Sequence, residues 1–292
     1  FQQVVVGSFH ACGLRLDGTA SCWGYEYPAD SVPTTRFKSL SAGSGHTCGL
    51  RFDDTAECWG DEVVVNATPV DRFVSLQGGW GLACGIRADH TVSCWGHLRG
   101  AKAHVPTGTF SEVATGYGMT CALRNDGAAV CWETSAVPAP GPFVHLTAGD
   151  LHACGIRGDG SIACWGDNSE GQSKKQNDSF LDVDAGIFHT CGVRLDHSIR
   201  CWGSNDFGQS SEPDGSYERI SAAGSYTCAL RTDGSIDCWG QENLPGGDPY
   251  GLLQPPAGKF KAIDTGVRHA CAIRENGAIE CWGEAANGKL LV

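Results

Sequence analysis

The sequence predicts an all-β fold, a β-propeller of eight short, mostly three-stranded blades, each stapled by a disulfide within a hairpin. Three observations predict it. Sixteen cysteines fall as eight pairs with nine residues between partners, a tryptophan follows the second cysteine of every pair, and the surrounding unit recurs about every 36 residues. Stacked repeats share one continuous core. The 292 residues therefore read as one propeller domain, 1–292. Seven blades with one unit displaced, or an open superhelix, are the alternatives.

Aligned on the first cysteine, the units are 1–24, 37–60, 73–96, 110–133, 143–166, 180–203, 217–240 and 260–283. The segments between them are 12, 12, 13, 9, 13, 13 and 19 residues long. Each unit opens with an aromatic and closes on Cys-Trp-Gly, except the fourth, which closes Cys131-Trp132-Glu133. The first strand is a Phe-x-x-Val-like stretch such as Phe37 to Ala42, with apolar alternation. Gly7, Gly43, Gly79, Gly116, Gly149, Gly186 and Gly266 end it, which suits a turn. The second strand carries the first cysteine and ends at an arginine; the third carries the second cysteine and the tryptophan. Between them lies Asp-Gly or a substitute, as in Leu16-Asp17-Gly18, a strong hairpin signal. Asp54, His90 and His197 replace the glycine, and such residues tolerate a left-handed backbone better than most.

Register decides what the cysteines do. A three-residue loop, a type I turn followed by a left-handed glycine, sets Arg15 opposite Thr19, Leu14 opposite Ala20 and Cys12 opposite Cys22. At a non-hydrogen-bonded pair the Cα atoms lie about 4.5 Å apart, inside disulfide range. A two-residue loop would set Cys22 opposite Gly13 and fits less well. Eight disulfides are expected: Cys12–Cys22, Cys48–Cys58, Cys84–Cys94, Cys121–Cys131, Cys154–Cys164, Cys191–Cys201, Cys228–Cys238 and Cys271–Cys281. Each closes a short loop worth roughly 2–3 kcal/mol in the chain-entropy model. The rivals are zinc, whose ligand pairs usually lie about two to four residues apart, and reduced core thiols. Disulfides imply a secreted or cell-surface protein. Two glycosylation sequons, at Asn66 and Asn177, fit that compartment.

In each unit the cysteine pair, Leu14 and Ala20 share one face; Trp23, Gly13 and Arg15 share the other. Both faces are largely apolar, as expected when sheets stack on neighbours on both sides. The outermost strand of a blade is an exposed edge, and a disulfide to the strand inside it would pin that edge.

Composition narrows the function. The net charge is −12 and charged residues are 18%. An acidic surface argues against nucleic acid and anionic membranes. No run of 18 apolar residues exists to span a bilayer. The chain opens at Phe1 with no charged-then-apolar leader, which reads as a mature form or an excised domain.

The pattern Ala42-Gly43-x-x-His46-x-Cys48-x-Leu50-Arg51-x-Asp53, closing Cys58-Trp59-Gly60, resembles the regulator-of-chromosome-condensation repeat. Trp165-Gly166-Asp167-Asn168-Ser169-Glu170-Gly171-Gln172 and Trp202-Gly203-Ser204-Asn205-Asp206-Phe207-Gly208-Gln209 match its Trp-Gly-x-Asn-x-x-Gly-Gln segment. The doubled cysteines are more similar to extracellular Crinkly-type receptor repeats, and the short spacing resembles the secreted β-lactamase-inhibitor propeller with three-stranded blades. The resemblance implies a propeller, usually of seven blades. Function varies across that superfamily.

Arginine recurs three positions after each first cysteine: Arg15, Arg51, Arg87, Arg124, Arg157, Arg194, Arg231 and Arg274. Recurrence in every unit favours a blade-to-blade contact, over Trp23-type rings or to Asp17-type carboxylates, above an anion-binding ring. His10, His46, His152, His189 and His269 share one position. Equivalent positions on adjacent blades are about 10 Å apart, too far to share an ion, so a local hydrogen bond at the strand entrance is expected. No metal and no cofactor is expected.

The variable positions carry more. Two residues follow each turn glycine on the first loop, and strand direction puts all eight loops on one face. Phe9, Trp80, Tyr117, Leu151, Ile187, Phe188 and Val267 are large and apolar there, with Arg268 beside them. This is the candidate protein-binding face; the alternative is that they lean into the channel or against the next segment. The insert Gln241 to Lys259 is a second candidate contact, or a passive surface loop. No nucleophile motif or phosphate loop is present. The expected function is a non-catalytic extracellular protein-binding or scaffold propeller, a receptor or adhesion ectodomain or a subunit of a self-associating surface assembly. A secreted enzyme inhibitor is the runner-up, and a secreted hydrolase ranks third.

Overall fold

The computed structural model describes residues 1–24, 32–97, 105–240 and 251–284. Among these, 24 strands form eight three-stranded antiparallel sheets, one per cysteine unit. In blade 1, β1 (Gln3–Val6) pairs with β2 (His10–Leu14), and β2 with β3 (Ala20–Gly24). The other blades repeat this inner-middle-outer order. The inner strands surround a central channel, and their ends ring its mouth.

The hairpin register is the one the turn chemistry predicts. Arg15 N donates to Thr19 O at 2.8 Å and Gly18 N to Arg15 O at 3.0 Å. Gly18 has φ +86°, and Asp54, His90 and His197 take the same left-handed conformation at φ 71°, 67° and 67°. The Asp17 carboxylate accepts from both Thr19 N and Thr19 Oγ1, so it serves its own turn. Cys12 faces Cys22 and Leu14 faces Ala20. All eight disulfides form, with Cα atoms 4.0 to 4.1 Å apart.

The core is a series of inter-blade layers. The disulfide face of one blade packs on the aromatic face of the next: Cys12 and Leu14 of blade 1 meet Phe37 and Trp59 of blade 2. Phe37 and Trp59 lie with centroids 5.5 Å apart. Gly49 is small because a Cβ there would come within 2.3 Å of the Phe37 ring. Trp23 Nε1 reaches Cys281 Sγ of the preceding blade at 3.2 Å, as Trp165 Nε1 reaches Cys131 Sγ.

The turn glycines have a reason other than turn conformation. Gly7, Gly43, Gly116, Gly149 and Gly266 do not take a left-handed φ. Instead the next blade's backbone arrives where a side chain would begin. A Cβ on Gly7 would lie 2.3 Å from Gly43 O, and one on Gly149 2.2 Å from Gly186 O.

Side chains of one inner strand also satisfy the N–H groups of the next, which sheet pairing leaves free. Ser41 Oγ accepts from Gly78 N at 2.7 Å, and Asp184 Oδ2 from Ala222 N at 2.8 Å. The same stitch closes the ring: Asp264 Oδ2 of blade 8 accepts from Val6 N of blade 1 at 2.7 Å. The Phe1 ammonium donates to Gly277 O at 2.5 Å. Eight blades therefore make a closed ring, in place of the seven-bladed and open alternatives.

Two connections contribute core residues. The helix α1 (Glu62–Asn66), which the sequence pattern does not announce, is capped by the Asp61 carboxylate on Val63 N. It buries Val64 against Phe73 and Trp95. In the last insert, residues 241–250 lie outside the described residues. Leu252 beyond them is fully buried beside Tyr226, and its carbonyl accepts from Trp282 Nε1 at 3.0 Å. This stretch of the insert is a packing element, not a passive loop.

Candidate functional site

The channel mouth is built from the loop that follows each inner strand. The first residue after each turn glycine borders the opening; the second stands outside it. Trp80, Tyr117, Ile187 and Val267 line a cavity of about 190 Å³, together with Ser8, Ser44 and Asp150. Phe9, Leu151 and Phe188 stand on the surrounding rim, 46%, 45% and 44% exposed. Arg268 is exposed on the rim at blade 8, with Nη1 4.0 Å from Glu284 Oε2. Of the eight sequence-predicted residues, Trp80, Tyr117, Ile187 and Val267 thus border the opening, Trp80 while 45% exposed, and Phe9, Leu151, Phe188 and Arg268 stand outside it.

Trp80 and Tyr117, on blades 3 and 4, meet edge to face with centroids 5.1 Å apart and planes at 83°. Beside Tyr117, Gly118 N donates to Asp150 O of blade 5 at 2.9 Å, which joins the third residue to the row. The Asp150 side chain is half-buried, and burial raises its pKa above the usual carboxylate value. Among the described residues it is the only carboxylate that lines the mouth, and no cation does.

The recurrent polar residues are structural, with partners other than those expected. Arg15 stacks over the Phe1 ring at 5.1 Å, and Arg274 over Phe260 at 4.6 Å. Arg15, Arg124, Arg157, Arg231 and Arg274 therefore cover the aromatic that opens the unit, not the tryptophan. Several also pair with acids of the outer strand, Arg51 with Glu57 at 2.6 Å and Arg274 with Glu280 at 2.5 Å, rather than with turn carboxylates. The five histidines are fully buried. Their expected local bond is instead a bond between blades: His10 Nε2 to Thr47 Oγ1 at 2.7 Å, His152 to Thr190 at 2.8 Å, His189 to Thr227 at 2.7 Å. His269 Nε2 meets His10 O at 3.2 Å across the ring closure. Desolvation lowers the pKa to about 3 in His10 and His189 and about 4 in His46 and His152. These four are neutral spacers. Among the described residues no three His, Cys, Asp or Glu side chains gather as a metal site.

Sequence reasoning overlooked the opposite end of the ring. Leu16, Phe52 and Leu195, at hairpin tips just after the recurrent arginine, are exposed, as are Val74, Val144 and Leu181 at the second residue of their inner strands. A detectable signal existed: large apolar residues at positions that other units fill with Ala88, Asn125 or Glu275. The sequon residues Asn66 and Asn177 are both exposed, one at the end of α1 and one between blades.

The regulator of chromosome condensation (RCC1) repeat model matches residues 1–27, 143–172 and 180–209. A comparison with curated protein sequences gives no match. Among solved structures, the Crinkly ectodomain of the Arabidopsis thaliana receptor kinase ACR4 is 25% identical, with 84% of this chain and 94% of that one covered and a TM-score of 0.68. The ectodomain of the Physcomitrella patens receptor kinase CR4 is 24% identical, covering 85% and 73%, with a TM-score of 0.67. Prp20p from Saccharomyces cerevisiae, studied for its binding to Gsp1p and histones, is 17% identical over 86% and 73%, with a TM-score of 0.54. The chain is an eight-bladed propeller in which blades 1, 5 and 6 match the RCC1 repeat, and it is similar to Crinkly ectodomains. Eight disulfides and this likeness point to an extracellular setting.

Proposed function

We propose that this chain is an extracellular, non-catalytic propeller that binds a protein through the loop face around its channel mouth. The observation that carries the reading is the placement of Phe9, Trp80, Leu151 and Phe188. All four are large, apolar and close to half exposed, and they stand on the first loops of blades 1, 3, 5 and 6. Exposed aromatic and aliphatic side chains in and around a concave opening are the usual anatomy of a protein-binding hot spot. Within this reading the chain serves as a receptor or adhesion ectodomain, and Asn66 and Asn177 carry glycans away from the binding face.

The test is a pull-down from the native extracellular fluid with wild-type protein and with a Leu151→Ala/Phe188→Ala variant. The reading expects one or more specific proteins with the wild type and their loss with the variant, at unchanged melting temperature. Equal capture by both would place binding elsewhere. The apolar residues at the opposite end favour a second reading, a subunit of a surface assembly that stacks face on face. Sedimentation of the protein across a hundredfold concentration range tests it, since assembly requires a concentration-dependent increase in mass.

A further inference from the structure

The channel mouth carries chemistry more specific than apolar contact. Its lining contains one charged group, Asp150, among glycine backbone, small residues and the Trp80–Tyr117 pair. A carboxylate taken half out of water loses hydration and needs a compensating partner. Among the described residues, no hydrogen-bond donor or cation of this chain engages the Asp150 carboxylate, and its raised pKa has desolvation as its cause. Asp150 follows Tyr117 and Trp80 in blade order, so the aromatic pair and the carboxylate form one arc of the mouth.

We infer that this arc receives a cationic side chain, arginine or lysine, presented by the protein partner. This rests on the protein-binding reading and names what the partner must carry. A cation beside indole and phenol rings gains from their quadrupoles, and the gain grows when water is excluded. The carboxylate supplies the charge-assisted hydrogen bond. An opening of about 190 Å³ has room for one long side chain. The net charge of −12 supplies a long-range field that draws a basic surface toward the protein. A neutral apolar anchor would gain from Trp80 but would leave the Asp150 carboxylate without a partner.

The test uses small probes and the intact protein. N-acetyl-arginine amide, N-acetyl-lysine amide and the neutral isostere N-acetyl-citrulline amide are titrated while the Trp80 indole N–H resonance, assigned with Trp80→Phe, is followed by NMR. At least one cationic probe should shift that resonance saturably and bind about tenfold more tightly than citrulline, the range a partly desolvated cation–π and ion pair supplies. Asp150→Asn should erase that preference without changing the melting temperature. Failure of both cations to outbind citrulline, or a preference that survives Asp150→Asn, overturns the inference. If the probes fail while Leu151→Ala/Phe188→Ala still abolishes capture in the pull-down, the protein-binding reading stands and only the cationic anchor falls.

Discussion

His10 of blade 1 and Thr47 of blade 2 meet across their blade boundary, Nε2 to Oγ1 at 2.7 Å, both fully buried. The threonine sits just before the first cysteine of its unit. The same pair recurs as His152–Thr190 and His189–Thr227. Thr47→Val is isosteric but removes the hydroxyl that His10 Nε2 meets across the boundary, leaving the imidazole its hydrogen bond to the His46 backbone. It should cost about 0.5–1.5 kcal/mol, read as a lower midpoint in denaturant. The converse change is available at blade 3, where Ala83 takes the threonine's place and both ring nitrogens of His46 lack a partner among the described residues. Ala83→Thr should stabilise by about 1 kcal/mol. A neutral or destabilising result would contradict the pairing rule.

The buried histidines set an acid limit. In the folded state four of them have pKa values near 3 to 4, against about 6.5 unfolded. Below pH 6.5 the unfolded chain therefore binds more protons than the folded one, and stability falls with pH. At pH 5 each histidine costs about 2 kcal/mol. Two buried carboxylates work in the opposite sense. Burial raises Asp184 to about 6 and Asp264 to about 7, so the folded state takes up their protons first and gains stability as pH falls from 7 toward 4. Four histidines outweigh two acids, and unfolding midpoints should decline from pH 7 to pH 5. The decline should be shallower in His152→Gln/His189→Gln.

The turn glycines are predicted to be intolerant for a reason specific to stacking. A Cβ on Gly116 would lie 1.8 Å from Gly149 O of the next blade. Gly116→Ala must push blades 4 and 5 apart and should destabilise by about 2–3 kcal/mol. Gly45, whose Cβ would meet nothing within 4 Å, is the control: Gly45→Ala should stay within about 0.5 kcal/mol of wild type.

These cases mark what the chain's pattern reveals and what it conceals. Relations inside a hairpin are local. The Asp17-Gly18 turn fixes Cys12 opposite Cys22 because the register follows from turn length. Relations between blades are not written in any one unit. The histidine column is visible, but its threonine partner is 37 residues away, and matching the two columns requires knowing which face meets which. The arginines were legible as structural, yet their ring partner, the opening aromatic rather than the tryptophan, depends on how the first strand pairs back on the second, as Phe37 does with Arg51. Helix α1 escaped notice because Val63-Val64-Val65 has β-branched character; its Asp61 cap and the buried Val64 override that preference. At the candidate site the loop positions were legible, while the division into mouth and rim depends on the ring's curvature.

The staples give a chemical prediction. Protein unfolded without reductant should show no reactive thiol, and sixteen after reduction, since every cysteine is paired. Removing one staple, as Cys154→Ala/Cys164→Ala, should cost about 2–3 kcal/mol and lower the melting temperature without altering the other seven bonds.

On the proposed function, the cysteine pairs are scaffold and the loop face is the working surface. A photo-crosslinking residue placed singly at Phe188 on the rim, or at Leu195 at the opposite end, tests it directly in the native extracellular fluid. The account predicts a discrete protein adduct from position 188, competed by excess unmodified protein, and none from position 195. An adduct from 195 alone would contradict it and move the working surface to the hairpin tips.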